Sequence, residues 1–289
     1  MKIKAMALCM LPCIAVKAQD KDLVAVTYNI ASVKHNDTSA TVRQFDAKFR
    51  LPVVQRGTNV VTAAVNYKNL ALCNFPETFP GSLQAVSVQL FWVAKFAGNK
   101  SITVFANTGV YSDMRNVSGN DYRYAIGVRY RVHHSPRLST GWGLAYAKQF
   151  FGNQLVPFID VSYQPNDKWS LTGQFPIKPK LLYHFSKKLS AGIEMSGEGS
   201  SYRLGSKYDN RYMQLNQWTA HTKLEYLFAG RWQLNLAVGA NLRQTYKLYS
   251  DASSVSWTII TIPLGNKDEP LQKIEGRGFN AQVGISFGL

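Results

Sequence analysis

The residues best able to do chemistry are ionisable side chains that share one parity of alternating segments. They are Asp46, Lys48, Arg50, Arg123, Arg129, Arg131, Asp160, Glu194, Glu198, Lys223, Glu225 and Arg243. Side chains two residues apart on a strand share a face, so Arg129 and Arg131, or Lys223 and Glu225, would stand side by side. Unpaired charges in a narrow interior are costly. Such a set either pairs into a plug that closes a barrel or lines a basic pore. In a pore, Arg123, Arg129 and Arg131 would form one side of an anion-attracting ladder, with small solutes as cargo.

A second chemistry would be a membrane-embedded lipid hydrolase using Ser and His. Its candidates are His133-His134-Ser135, His35 with Thr38 and Ser39, His184 with Ser186, and His221. The first group falls in a turn beside Pro136 and Arg137, and His221 falls among Lys223 and Glu225 on the polar face. None is a pattern that requires catalysis, and no catalytic residue is assigned. Adjacent His133 and His134 would point to opposite faces of a strand. No H-E-x-x-H, EF-hand or paired-Cys spacing occurs, so no metal is expected. Gly197-Glu198-Gly199 lacks the helix and Lys of a phosphate loop, and no other cofactor is expected.

The elements that must position these groups are strands. Tyr122, Tyr124, Ile126, Val128, Tyr130 and Val132 alternate with Asp121, Arg123, Ala125, Gly127, Arg129 and Arg131. Leu234 to Leu242, Trp218 to Tyr226 and Phe279 to Leu289 show the same period of two. Many such segments run 10 to 13 residues. Strands of globular proteins average about five or six residues, whereas a transmembrane strand needs about 9–11. The polar face mixes Gly, Ala, Ser, Asn and Gln with charges, as a hydrated barrel interior would. A secreted soluble β-sandwich is the alternative, but its polar face would meet bulk water and carry more Lys and Glu.

The fold expected is therefore all-β: a transmembrane antiparallel up-and-down β-barrel of 12 to 14 strands. The range in number arises at Pro176 and Pro179, which interrupt the pattern. Reading Trp169–Gln174 and Lys180–Phe185 as two short strands gives fourteen. Tight turns such as Gln55-Arg56-Gly57 and Ala229-Gly230-Arg231 alternate with longer loops near 70–82, 112–121, 200–213 and 247–277. That is the layout of an outer-membrane barrel, with tight turns facing the periplasm. The last loop has its own apolar stretch, Trp257 to Pro263, which reads as a strand extension or a folded-in constriction. Trp92, Trp142, Trp169, Trp218 and Trp232 fall near strand ends, where amphipathic rings meet lipid headgroups.

Met1-Lys2-Ile3-Lys4 precedes a mostly apolar run from Ala5 to Val16, and Val16-Lys17-Ala18 offers a cleavage site. Residues 1–18 read as a signal peptide and 19–289 as the barrel. Cleavage would remove Cys9 and Cys13, leaving Cys73 with no internal disulfide partner. That suits a Gram-negative envelope protein located in the outer membrane.

Several stretches carry a family likeness. Phe175-Pro176-Ile177 with Pro179 leads into Tyr183-His184-Phe185-Ser186 and Leu189-Ser190-Ala191-Gly192. Ser201-Tyr202-Arg203-Leu204-Gly205 and Leu224-Glu225-Tyr226-Leu227-Phe228 follow. This region, roughly 165–250, resembles a family of outer-membrane β-barrel proteins of unknown function from Gram-negative bacteria. The resemblance implies a barrel and a location and supplies no catalytic residues. The last strand, with Phe287 near its end, resembles the segment by which barrel-assembly machinery recognises its clients, although Leu289 rather than an aromatic is last.

The chain's 289 residues carry a formal net charge of +16 with 12% aromatics. The apolar and aromatic content argues against disorder, and no apolar run reaches the roughly 18 residues of a membrane helix. Losing Lys2, Lys4 and Lys17 with the signal peptide would lower the charge by three. The remaining cations form no patch interleaved with stacking aromatics, which argues against a nucleic-acid partner. Outer-membrane lipid is the expected partner of those at the rim.

Overall fold

The alternating segments become strands of one antiparallel sheet in the computed structural model, which describes residues 22–35, 38–96, 98–250, 256–265 and 269–288. The signal-peptide residues and Leu289 lie outside the described residues. In chain order the strands are β1 (Asp22–His35), β2 (Thr38–Arg56), β3 (Asn59–Cys73), β4 (Ser82–Phe96), β5 (Lys100–Ser112) and β6 (Tyr122–Ser135). Next come β7 (Leu138–Gln149), β8 (Gly152–Tyr163), β9 (Trp169–Phe175), β10 (Lys178–His184), β11 (Leu189–Arg203), β12 (Tyr212–Phe228) and β13 (Trp232–Tyr249). A small hairpin, β14 (Trp257–Ile259) and β15 (Ile262–Leu264), precedes the last strand, β16 (Gln272–Gly288).

Consecutive strands from β1 to β13 pair as neighbours, β13 pairs β16, and β16 pairs β1, so the wall is a closed barrel of fourteen strands. Closure pairs every long wall strand on both sides except the upper half of β11, whose ladder with β10 stops at Glu194. Asp22 lies opposite Gly288, so both described ends of the wall share the tight-turn end. The strands run further into the expected loops than alternation alone indicates: β3 continues to Cys73, and β11 to Arg203. His133, His134 and Ser135 end β6 across a register shift, rather than forming the turn.

Period two sorts the side chains. Ile30, Phe49, Val65, Val88, Leu90, Ile126, Val128, Leu236 and Val283 lie on the outside and are all strongly exposed. Soluble monomers seldom expose apolar patches beyond a few hundred Å²; a lipid-facing wall must. No described helix is long and apolar enough to cross a membrane.

Three glycines sit directly opposite aromatic residues and lie beneath their rings: Gly143 under Phe158, Gly127 under Phe105 and Gly197 under Trp218. A Cβ at Gly143 would fall 2.1 Å from Cζ of Phe158, far inside van der Waals contact. Glycine lets the sheet coil, and the ring covers the backbone it exposes. Gly143→Val should expel the buried Phe158 and cost about 1–3 kcal/mol through overpacking. The midpoint of urea unfolding in micelles reads this directly, and an unchanged midpoint would refute the pairing.

Candidate functional site

The lumen has two zones. Toward the tight turns it is polar and charge-paired. Lys68 on β3 donates to Glu198 on β11 at 2.5 Å and lies 3.8 Å from Asp46 on β2. Gln44 donates to Asp46 at 2.6 Å. On the other side, Arg129 and Arg131 of β6 converge on one oxygen of Asp160 on β8, at 3.2 and 2.7 Å. Asp160 is fully buried. Lys223 of β12 bridges Glu194 at 3.1 Å and Glu225 at 3.6 Å, while Lys180 donates to Glu225 at 2.9 Å. Arg50 lies over the Phe91 ring at 5.3 Å, and Lys48 shares its face. Higher up, at the long-loop end of β6, Arg123 stacks 3.7 Å over Tyr111 and donates to the Ser201 carbonyl at 2.5 Å.

The arginines expected as one ladder are thus divided. Two share a carboxylate, and the third is held by a ring and a carbonyl. Arg243 departs from the expected face altogether. A bulge between Asn241 and Gln244 adds one residue to β13, so Arg243 lies opposite Trp218 on the outer wall and pairs with Glu275 at 3.0 Å. Strict alternation fails there because an inserted residue resets the parity.

The histidines serve the walls. His221 meets Asn280 at 2.7 Å, and Asn280 donates to Asn241 at 3.2 Å. His184 contacts Ser170 at 2.9 Å and Ser190 at 2.7 Å, tying β9, β10 and β11 together, instead of contacting its sequence neighbour Ser186. Among the described residues, no group of three His, Cys, Asp or Glu gathers to hold a metal.

Toward the long loops the lumen is apolar, a feature with no counterpart in the sequence expectations. β9 and β10 have seven residues each and end at the Pro176 turn, so they leave the wall low. Above them β11 leans inward until Arg203 pairs with Ser112 of β5. The tops of β11–β13 thereby cross the lumen. One face, with Tyr202, Met213, Leu215 and Leu248, packs in one buried core with Val33, Val42, Leu72 and Leu83 of β1–β4. Phe75 and Phe79 from the β3–β4 loop close over it, with the Phe75 ring 5.1 Å from that of Tyr246. The opposite face stacks Tyr212 on Tyr249 and packs them against Phe150 and Phe151 of the β7–β8 turn. Polar links fasten it: Phe150 donates to Ser201, and Ser201 to Gln149, both at 3.0 Å. The β14–β15 hairpin prolongs neither β13 nor β16. It lies parallel beside β8, with Trp257 opposite Asn153.

Outside the wall, the β5–β6 loop is held by a capping box in which Asp121 accepts from the Ser118 amide at 2.8 Å. Burial raises the Asp121 carboxyl above its ordinary value, opposed by that amide and by Arg203. Trp92, Trp142, Trp169 and Trp232 all point outward near the tight-turn end, whereas Trp218 lies outward in the long-loop half, over Gly197.

Residues 24–257 match the model of a Domain of unknown function (DUF6268). A search of curated proteins found no match. Among solved structures, the chain is similar to the KdgM porin at 10% identity, covering 92% of this chain and 99% of that one, TM-score 0.38. It is similar to the NanC porin at 10% identity, covering 92% and 100%, TM-score 0.38. The translocator domain of autotransporter NalP from Neisseria meningitidis shows 9% identity, coverage of 94% and 90%, and TM-score 0.35. Likenesses at these scores assign no role.

Proposed function

This chain belongs to the DUF6268 family, and on that footing we propose that it is an integral outer-membrane β-barrel of a Gram-negative envelope that rests closed to solutes. The observation that carries the reading is the apolar seal where β11–β13 cross the lumen above the paired charges. A constitutive pore would leave that zone hydrated. The tight-turn end faces the periplasm, where the outward Trp92, Trp142, Trp169 and Trp232 sit at headgroup level. The basic start and apolar run of residues 1–18 serve export, and the last strand engages the assembly machinery. Small solutes enter only the lower lumen, where Asp46, Lys68 and Lys180 are partly exposed.

Density fractionation of membranes, with gel mobility before and after heating, tests the location and the barrel. Sedimentation with the outer membrane and a heat-dependent shift are expected; protein left in the supernatant would overturn the reading. In planar bilayers the native chain should give no stepwise conductance, and stable open channels would remove the closed state.

A further inference from the structure

Five cations line up on the outer wall where its apolar belt stops, and a sixth, Lys247, is half-buried beside them where β13 leans inward. On β16 the outward series Phe287, Ile285, Val283, Ala281 and Phe279 is followed by Arg277, Glu275 and Lys273. From Phe287 to Phe279 is about 27 Å along the strand at roughly 3.4 Å per residue, close to the height of a barrel's lipid belt. Neighbouring strands change character at the same level. β1 passes from Ile30 to Lys34, β2 from Phe45 to Arg43, and β13 from Leu242 to Arg243 and Lys247. The register brings these residues together: Lys34 opposes Arg277, Lys273 opposes Lys247, and Arg43 opposes Ile30. Among the described residues, Glu275 is the one acid on this outward face, held between Arg243 and Lys273.

The row is also shaped. The β13 bulge opens a groove of about 420 Å³ lined by Leu242, Arg243, Glu275, Gly276 and Arg277. A second groove, of about 430 Å³, continues it through Ala240, Leu242, Arg277 and Gly278. Each groove thus joins cations above to apolar wall below, with exposed Phe279 and Leu242 at the junction. A water-soluble anion needs no apolar floor, and a neutral lipid needs no cations. We infer that this face holds the phosphorylated headgroup of an acylated lipid in the leaflet at the long-loop end, with the acyl chains lying down the wall below Phe279. The inference rests on the barrel spanning the membrane in the proposed sense.

The test uses the full chain reconstituted in nanodiscs of phosphatidylcholine, alone or doped with lipid A as the phosphorylated acylated probe. Native mass spectrometry of the released protein reads retained lipid, with inorganic pyrophosphate as the free-anion arm. Each cation near a charged membrane surface strengthens the attraction roughly fivefold. The Arg243→Gln/Arg277→Gln pair should therefore lower lipid A retention about tenfold or more, while Arg137→Gln at the opposite end leaves it unchanged. Equal retention in both variants would overturn the site, as would retention of pyrophosphate as strong as that of lipid A. If the double variant fails to fold, as judged by loss of the heat-dependent gel shift, Lys34→Gln/Lys273→Gln gives the same reading. Loss of that shift in the native chain itself would instead strike the barrel reading, so the two failures are distinguishable.

Discussion

Asp160→Asn should destabilise the barrel by about 3–5 kcal/mol, the usual cost of removing one partner from a buried ion pair. Asp160 has no exposed surface and faces two guanidiniums, of which Arg131 is itself buried. The neutral amide would leave those two cations side by side without the carboxylate that offsets their repulsion. Their surroundings offer little relief, since Phe158 and Phe105 lie nearby on the same inner face with ring centroids 6.4 Å apart. The loss appears as a lowered urea midpoint in micelles. The matching surface change, Asp167→Asn, breaks an exposed pair with Arg137 and should shift the midpoint little. Replacing both arginines by methionine in the Asp160→Asn background should recover much of the loss, because a packed apolar substitute often equals a buried ion pair. A midpoint unchanged by Asp160→Asn would mean that the cluster is hydrated and works as a pore lining after all.

The Asp160 cluster shows how far parity carries. Arg129, Arg131 and Asp160 lie on the inner face, where alternation places them, because an unbroken antiparallel ladder has no freedom to turn a residue over. Their pairing was not legible, since β6 and β8 meet only through β7 and nothing local specifies that neighbour. Arg243 was misplaced for the opposite reason: the error was local, a single inserted residue. The seal left a faint trace. Leu70 and Leu72, or Met213 and Leu215, are apolar at positions that are polar lower down the same strands. Inward apolar residues at strand tops are the signal that the interior changes from water to core. What converts that signal into a closed lumen is the shortness of β9 and β10, and there Pro176 and Pro179 were visible from the start. The parallel seating of β14 on β8 had no such marker, because it joins segments about a hundred residues apart.

The seal should also be the place where the barrel can be opened. Leu83 and Met213 belong to its core and have no exposed surface, one on each side of the crossed lumen. Leu83→Asp with Met213→Asp puts two carboxylates of like sign into that core, at a cost of several kcal/mol while the seal stays dry. The wall below does not depend on the seal, because its ladders are complete around the barrel. The cheapest response is for the tops of β11–β13 to part from β1–β4 and admit water. Planar bilayers should then record stepwise conductance from the double variant where the native chain is silent. Lumen cations outnumber lumen acids among the named groups, so the opened path should favour anions. A double variant that keeps its heat-dependent gel shift yet stays silent would show that the crossing strands are held by something other than apolar contact. The polar links of Ser201 to Gln149 and Phe150 would then be the restraint to cut next.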